Sequence, residues 1–467
     1  MTDRRLAGWG KCRRMEKDLR VEPAMPEKPA GFLQHLLSSV ATQGRSLLGR
    51  ARRRNGPLRL EDMRLADLAR LLLTSRGEAS GVAIARMMMN RYAALDIEAR
   101  REFLLALARD FSADREAIRT AFAACERKGD EDSMHALWEA VEPPRQEVLR
   151  RLNLAPGNTA GLVQMRADTL ALLPGTPALK ALDRDFEHLF SSWFNRGFLV
   201  LQRIDWRSPA HILEKLIRYE AVHAIQSWDD LRRRIDPADR RCYAFFHPAL
   251  ADEPLIFVEV ALTREMPAAI EPILAASREP VPQHEANTAV FYSISNCQEG
   301  LRGISFGNFL IKQVIQNLTA EVPRLKNFAT LSPVPGFRAW LEKERAGDEA
   351  ASQARVPLPA MGLEIPQSLE APLTALCARY LMHARRGTEP LDPVARFHLG
   401  NGARLERINW RGDCSEAGLR RSCGIMVNYL YELDAIENNH EAYAVHGTVA
   451  CSPSIASLLS PLHRTLS

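Results

Sequence analysis

No stretch of this sequence approaches the run of about 20 apolar residues that a membrane-spanning helix needs, so no such helix is expected. The opening "MTDRRLAGWGKCRRMEKDLR" lacks the continuous apolar core of a signal peptide, and acids interrupt its arginines. A cytoplasmic location is the expectation that follows. Paired cysteines are also missing. The eight Cys residues (Cys12, Cys125, Cys242, Cys297, Cys377, Cys414, Cys423 and Cys451) show no CxxC pair and no repeated spacing, which argues against a structural zinc site and a disulfide framework. None of the twelve His residues falls in an HExxH or comparable spacing, and neither a metal nor a cofactor is expected. A dominant charge is absent as well. The net charge is +5 over 467 residues, and basic residues gather mainly in "GRARRR" (49–54), which reads as a solvated segment. Nucleic-acid binders carry a basic face or stripe, so nucleic acid is not an expected partner, whereas an anionic small molecule is compatible with the charge.

What is present is ordinary for a globular protein: 46% hydrophobic and 25% charged residues, in a chain long enough for two or three domains. Residues 1–55, rich in Arg and Pro and without sustained periodicity, read as a flexible leader. From 56 to 182 the pattern is helical. "LEDMRLADLARLLL", "GVAIARMMMNRYAAL", "ARREFLLALARDF", "REAIRTAFAACERK" and "SMHALWEAVEPP" place apolar residues at i, i+3, i+4 and i+7. Met87 to Met89 read as core packing, and the whole as a bundle with a scaffold or oligomerisation role. From 183 to 467 the character is mixed. "RCYAFFHPAL" and "EPLIFVEVALT" form a hairpin through "ADEP"; "NTAVFYSISNC" and "LKNFATLSP" are further strands, and "GFRAWLEKER" is a helix. "RAGDEAASQAR" reads as a surface loop. The expected class is α+β, a helical bundle followed by a domain with a central sheet.

Three features carry candidate chemistry. The first is "GLRGISFG", between a strand and a helix starting near Asn308. Glycines let the backbone approach a ligand, and a helix N-terminus offers free N–H groups to a pyrophosphate. The spacing fits neither GxGxxG nor GxxxxGK[ST], which disfavours NAD and ATP. Acyl-CoA acetyltransferases use a comparable unit for the CoA pyrophosphate, but a plain left-handed turn joining strand to helix explains the string equally well. The second is Ser332 in "LSPVPGF". The following proline holds it extended at the end of a strand, before a sharp turn. In an open α/β sheet, ligands bind beyond the carboxyl ends of strands. The third is His398 in "ARFHLGNGARLERINW". A turn-forming serine and a hydrogen-bonded core histidine are the plainer readings of these two, and spacing does not bring them together.

The strings "FYSISNCQEGLRGISFGNFLIKQV", "LSPVPGFRAWL", "FHLGNGARLERINW" and "SCGIMVNYLYEL" resemble consecutive signature segments of the malonyl-CoA decarboxylases, and "SPAHILEKLIRYEAVHAIQSWDDLRRRI" fits the same family. The resemblance runs in order from about residue 57 to the C-terminus. It implies an acetyltransferase-like (GNAT-like) catalytic domain that splits malonyl-CoA into acetyl-CoA and CO2 without metal or organic cofactor. It carries the family's catalytic serine and histidine onto Ser332 and His398. Its CoA-contacting loop falls on Arg302, Gly303, Ile304, Ser305, Phe306, Gly307 and Asn308, and Ser293 and Tyr431 match further polar positions lining the site. Some members carry Glu where this loop has Ser305. In the expected chemistry Ser332 orients and polarises the malonyl group. His398 protonates C2, a task suited to a side chain with an ordinary pKa near neutrality. A homo-oligomer, a tetramer by the family pattern, is also expected. The competing functions are a CoA-dependent acyltransferase, which needs an acceptor, and a non-enzymatic acyl-CoA sensor, which binds without turnover.

Overall fold

The computed structural model describes residues 60–459 apart from 76, 251, 305, 307, 308 and 348–364. The leader at 1–55 and most of the loop read from residue 345 lie outside the described residues.

All five periodic strings are helical, in a series running from Leu65–Thr74 to Lys180–Trp193. Their starts are set locally. Asp96, Asp114 and Asp130 each accept a backbone N–H of the helix that follows, satisfying donors that the first turn leaves unpaired. Met88 and Met89 are core residues, 1% and 6% exposed, as their spacing implies. The last helix of the series spans residue 183, and the first strand begins at Val200.

The strands are β1 (Val200–Ile204), β2 (Arg240–Phe246), β3 (Pro254–Thr263), β4 (Thr288–Asn296), β5 (Asn327–Thr330), β6 (Ser332–Pro333), the side ribbon β7 (Arg385–Arg386) with β8 (Glu389–Pro390), β9 (Arg404–Asn409) and β10 (Met426–Leu430). The main sheet has the order β1-β2-β3-β4-β5-β10-β6, with β9 also on β10. β1 to β4 are antiparallel neighbours, and β2–β3 is the expected hairpin. β4 and β5 are parallel, joined through the glycine loop and the Phe309–Glu321 helix. This strand–loop–helix–strand unit inside a mostly antiparallel sheet is the acetyltransferase-like arrangement the sequence implies.

The single strand expected over "LKNFATLSP" keeps one antiparallel register along β10, with Ala329 opposite Leu430 and Ser332 opposite Val427, while its parallel pairing with β4 ends at Thr330, opposite Phe291. The bundle and sheet share one continuous hydrophobic core, which runs from Leu65 to Ile455. Seven cysteines fall in the described region, and all are free. No helix among the described residues is long and apolar enough to cross a membrane.

Candidate active site

His398 and Ser332, 66 positions apart in sequence, meet in the structure. The helix Pro393–Gly400 starts on Asp392, whose carboxylate accepts the Val394 and Ala395 N–H groups at 2.9 Å each, with Pro393 pre-set for the first turn. That start sets His398 in the last turn, with its Nε2 3.1 Å from Ser332 Oγ. Its Nδ1 lies 2.9 Å from the Tyr431 hydroxyl, and its ring stacks on Tyr429 with centroids 4.7 Å apart. Ser332 is held by its strand pairing to Val427, by Pro333, and by donating to Thr330 Oγ1 at 2.9 Å. Thr330 Oγ1 also accepts the Tyr429 backbone N–H at 3.1 Å, and Asn428 Nδ2 donates to the Thr330 carbonyl at 2.7 Å. The rigid mount read from "LSPVPGF" therefore exists, with two flanking strands and a threonine added to the proline.

The pair is nearly dry: Ser332, His398 and Tyr431 are 5%, 3% and 1% exposed. Burial penalises the imidazolium, and it pushes the His398 pKa from 6.5 to about 3. A histidine titrating near neutrality, as the sequence suggests, is thus corrected to one that is uncharged at pH 7. The same burial holds the Tyr431 phenol well above its ordinary value, so Tyr431 keeps its proton.

Two spaces adjoin this group. A cavity of about 60 Å³ touches Ser332 and His398, with Ser293, Val222, Phe291 and Val394 in its walls. A cleft of about 640 Å³ is bordered by Gly303, Ile304 and Phe306 of the glycine loop, by Asn296, and by Arg396 and Phe397. Both are built on the same two elements, β4 and the Pro393–Gly400 helix. Ser293 and Ile294 face the cavity and Asn296 the cleft; Val394 and His398 face the cavity and Arg396 and Phe397 the cleft. The two spaces adjoin this strand and helix without sharing a lining residue.

The loop itself is shaped from the bundle. Gly303 sits at φ +82°, in the left-handed region that glycine adopts without strain. The buried Arg166, from the Asn158–Leu172 helix, donates to the Gly300 and Arg302 carbonyls at 2.9 Å each and pairs with Asp183 and Glu187. A Cβ on Gly300 would collide with the Val163 carbonyl of that helix. Arg302 is exposed, 3.7 Å from Glu299, and Ile304 is buried. Ser305, Gly307 and Asn308 lie outside the described residues.

Ser293 borders the cavity but its hydroxyl donates to Glu220, at 2.9 and 2.8 Å from the two carboxylate oxygens. Glu220 also accepts the Val222 and His223 N–H groups at 2.8 and 2.7 Å, which fixes the turn that carries Val222 to the cavity. Tyr431 stands behind the imidazole. Sequence reasoning missed Glu220, Arg166, Arg396 and Thr330. Only Thr330 had a signal, being two residues before Ser332 and so on the same face of an extended chain. Among the described residues no three His, Cys, Asp or Glu side chains gather as a metal site.

The family model described as "Malonyl-CoA decarboxylase C-terminal domain" matches residues 197–467, and "Malonyl-CoA decarboxylase N-terminal domain" matches 111–194. The protein of Anser anser anser named "Malonyl-CoA decarboxylase, mitochondrial" is 35% identical over 413 residues, covering 79% of this chain and 82% of that one. The Rattus norvegicus protein of the same name is 36% identical over 356 residues, covering 69% and 72%. The crystal structure of malonyl-CoA decarboxylase from Rhodopseudomonas palustris is similar with a TM-score of 0.79 at 51% identity, covering 85% of this chain and 99% of that one.

Proposed function

This chain belongs to the malonyl-CoA decarboxylase family, and from that premise we propose that it cleaves malonyl-CoA to acetyl-CoA and CO2 at the Ser332–His398 pair, with the CoA held at the glycine loop. The observation that carries the reading is the 3.1 Å contact of Ser332 with His398 at the wall of a small cavity. In this reading the CoA arm occupies the 640 Å³ cleft, its phosphates lie toward residues 302–308 and the start of the Phe309–Glu321 helix, and the exposed Arg302 and the Arg396 guanidinium supply positive charge. The malonyl end reaches the 60 Å³ cavity.

Loss of CO2 leaves a pair of electrons on C2, shared by resonance with the thioester oxygen. On substrate binding Ser332 turns its hydroxyl proton from Thr330 Oγ1 to the malonyl group and holds the breaking C–C bond perpendicular to the thioester plane; a donor aimed at such developing charge is typically worth ~10²–10³ in rate. His398 then supplies the proton. A thioester enolate is so strong a base that a neutral imidazole serves as its acid, and burial keeps His398 neutral. Nε2–H passes its proton to C2, the Tyr431 hydroxyl steadies the resulting imidazolate by donating to Nδ1 from 2.9 Å, and Nε2 recovers a proton from solvent. One proton is consumed for each CO2 released, which balances the reaction. Ser293, whose own proton is held by Glu220, offers only lone pairs to the cavity. A wall that gives no proton to the carboxylate favours its departure as neutral CO2.

The purified chain with malonyl-CoA alone should yield acetyl-CoA and CO2. Turnover only when an amine or alcohol is added would replace this reading with an acyltransferase, and tight CoA binding with no turnover would replace it with a sensor. The protein is also proposed to be a homo-oligomer, a reading supported by apolar side chains that its own fold leaves uncovered on the bundle.

A further inference from the structure

We propose that Thr330 is a positioning residue that sets the direction of the hydrogen-bond chain through the site, so that the resting His398 carries its proton on Nε2, the nitrogen beside Ser332. This inference rests on the reading of His398 as the acid that protonates C2. It follows from counting protons. Ser332 has one hydroxyl proton, and it goes to Thr330 Oγ1 at 2.9 Å. Ser332 Oγ is thereby free only to accept, so the 3.1 Å contact with His398 has Nε2–H as its donor. A neutral imidazole has a single N–H. Nδ1 is therefore bare and accepts from the Tyr431 hydroxyl at 2.9 Å.

The element that fixes this order is the threonine. Its Oγ1 takes both the Ser332 proton and the Tyr429 backbone N–H, so both of its lone pairs are engaged. Its backbone is gripped by Asn428 Nδ2 at 2.7 Å, and it is fully buried at the break between β5 and β6. A side chain without the hydroxyl at this position would release the Ser332 proton to the nearest remaining acceptor, His398 Nε2. The imidazole would then be driven to the Nδ1–H form, with Tyr431 as its acceptor. That form has no proton on the side of the reacting carbon, and Ser332 becomes a partner of the histidine, as in hydrolases. The resting direction thus separates a proton-donating site from a nucleophile-activating one on the same two residues.

The test uses the full chain labelled with ¹⁵N-histidine, free of substrate, with His398 assigned from the signals lost in His398→Ala. Long-range ¹H–¹⁵N spectra report which ring nitrogen holds the proton. The expected result is Nε2–H in the wild type and in Thr330→Ser, and a shift toward Nδ1–H in Thr330→Val. With malonyl-CoA, Thr330→Val should lose ~10²-fold or more in kcat, the worth of a positioned acid, with KM little changed, while Thr330→Ser keeps most activity. An Nδ1–H wild type overturns the proposal, whether or not any variant folds. So does a Thr330→Val enzyme with an unchanged tautomer, or a Thr330→Ser enzyme as impaired as Thr330→Val. The tautomer is read without turnover. Failure of the wild type to decarboxylate malonyl-CoA would therefore count against the functional reading alone.

Discussion

His398 owes its character to burial and not to a carboxylate partner, and this has a measurable consequence. With its pKa near 3 in the folded chain against 6.5 when unperturbed, the imidazole is neutral throughout the range above about pH 4. An imidazolium acid would lose activity as pH rises through neutrality. A neutral acid does not, so kcat for malonyl-CoA should stay flat from about pH 5 to 8 as far as His398 is concerned. A tenfold fall per pH unit above 6.5, abolished in His398→Ala, would contradict the neutral-acid account. Ser332 and His398 were both visible in the sequence, one for its proline clamp and one beside a Gly-Asn-Gly turn. Their meeting was not, because a spacing of 66 positions says nothing about contact until the strand order is known. Glu220 was less legible still. It reaches Ser293 from a turn 73 positions away, and a lone glutamate after a helix carries no signal of its own.

At the scale of elements, the glycine loop depends on a helix that the sequence offered only as scaffold. The periodic strings gave the helices, since burying an apolar stripe imposes a 3.6-residue repeat whatever lies opposite. They gave no hint that Arg166 would leave the bundle and hold two carbonyls of the loop, because an arginine in an amphipathic helix reads as solvated face. Its guanidinium fork satisfies two acceptors and two carboxylates at once, a geometry a lysine cannot reproduce. Arg166→Lys should therefore loosen the loop and raise KM for malonyl-CoA by about tenfold, the weight of one charged hydrogen bond, while kcat changes little. Steady-state kinetics checks this, with thermal unfolding to verify that the variant is folded. An unchanged KM would show that the loop holds its shape without the bundle. The loss of the β4 partner after Thr330 was also hidden. The string is uniformly strand-like, and only the strand order shows that β10, from nearly 100 residues later, pairs it on past that point to Ser332.

For the whole molecule, the fold class was legible because the hydrophobic pattern changes along the chain, from helical throughout to helical segments interleaved with strands. How the halves join was not, since their shared core is built from residues of both. One part of the bundle stands apart. The helices Arg115–Lys128 and Glu131–Val141 bury only Ser133 between them, and Phe122, Met134, Trp138 and Val141 are each more than half exposed. If this face meets another copy, Trp138→Glu should reduce the assembly's mass in light scattering. An unchanged mass would move the interface elsewhere. The central claim is tested most directly by one measurement: malonyl-CoA alone in D2O, with CO2 and the CoA products followed by mass spectrometry in wild type, Ser332→Ala and His398→Ala. The account predicts acetyl-CoA carrying one solvent deuterium on its methyl group, formed ~10²-fold or more slowly in both variants. Undiminished turnover in either variant, or malonyl-CoA left intact by the wild type, would contradict it.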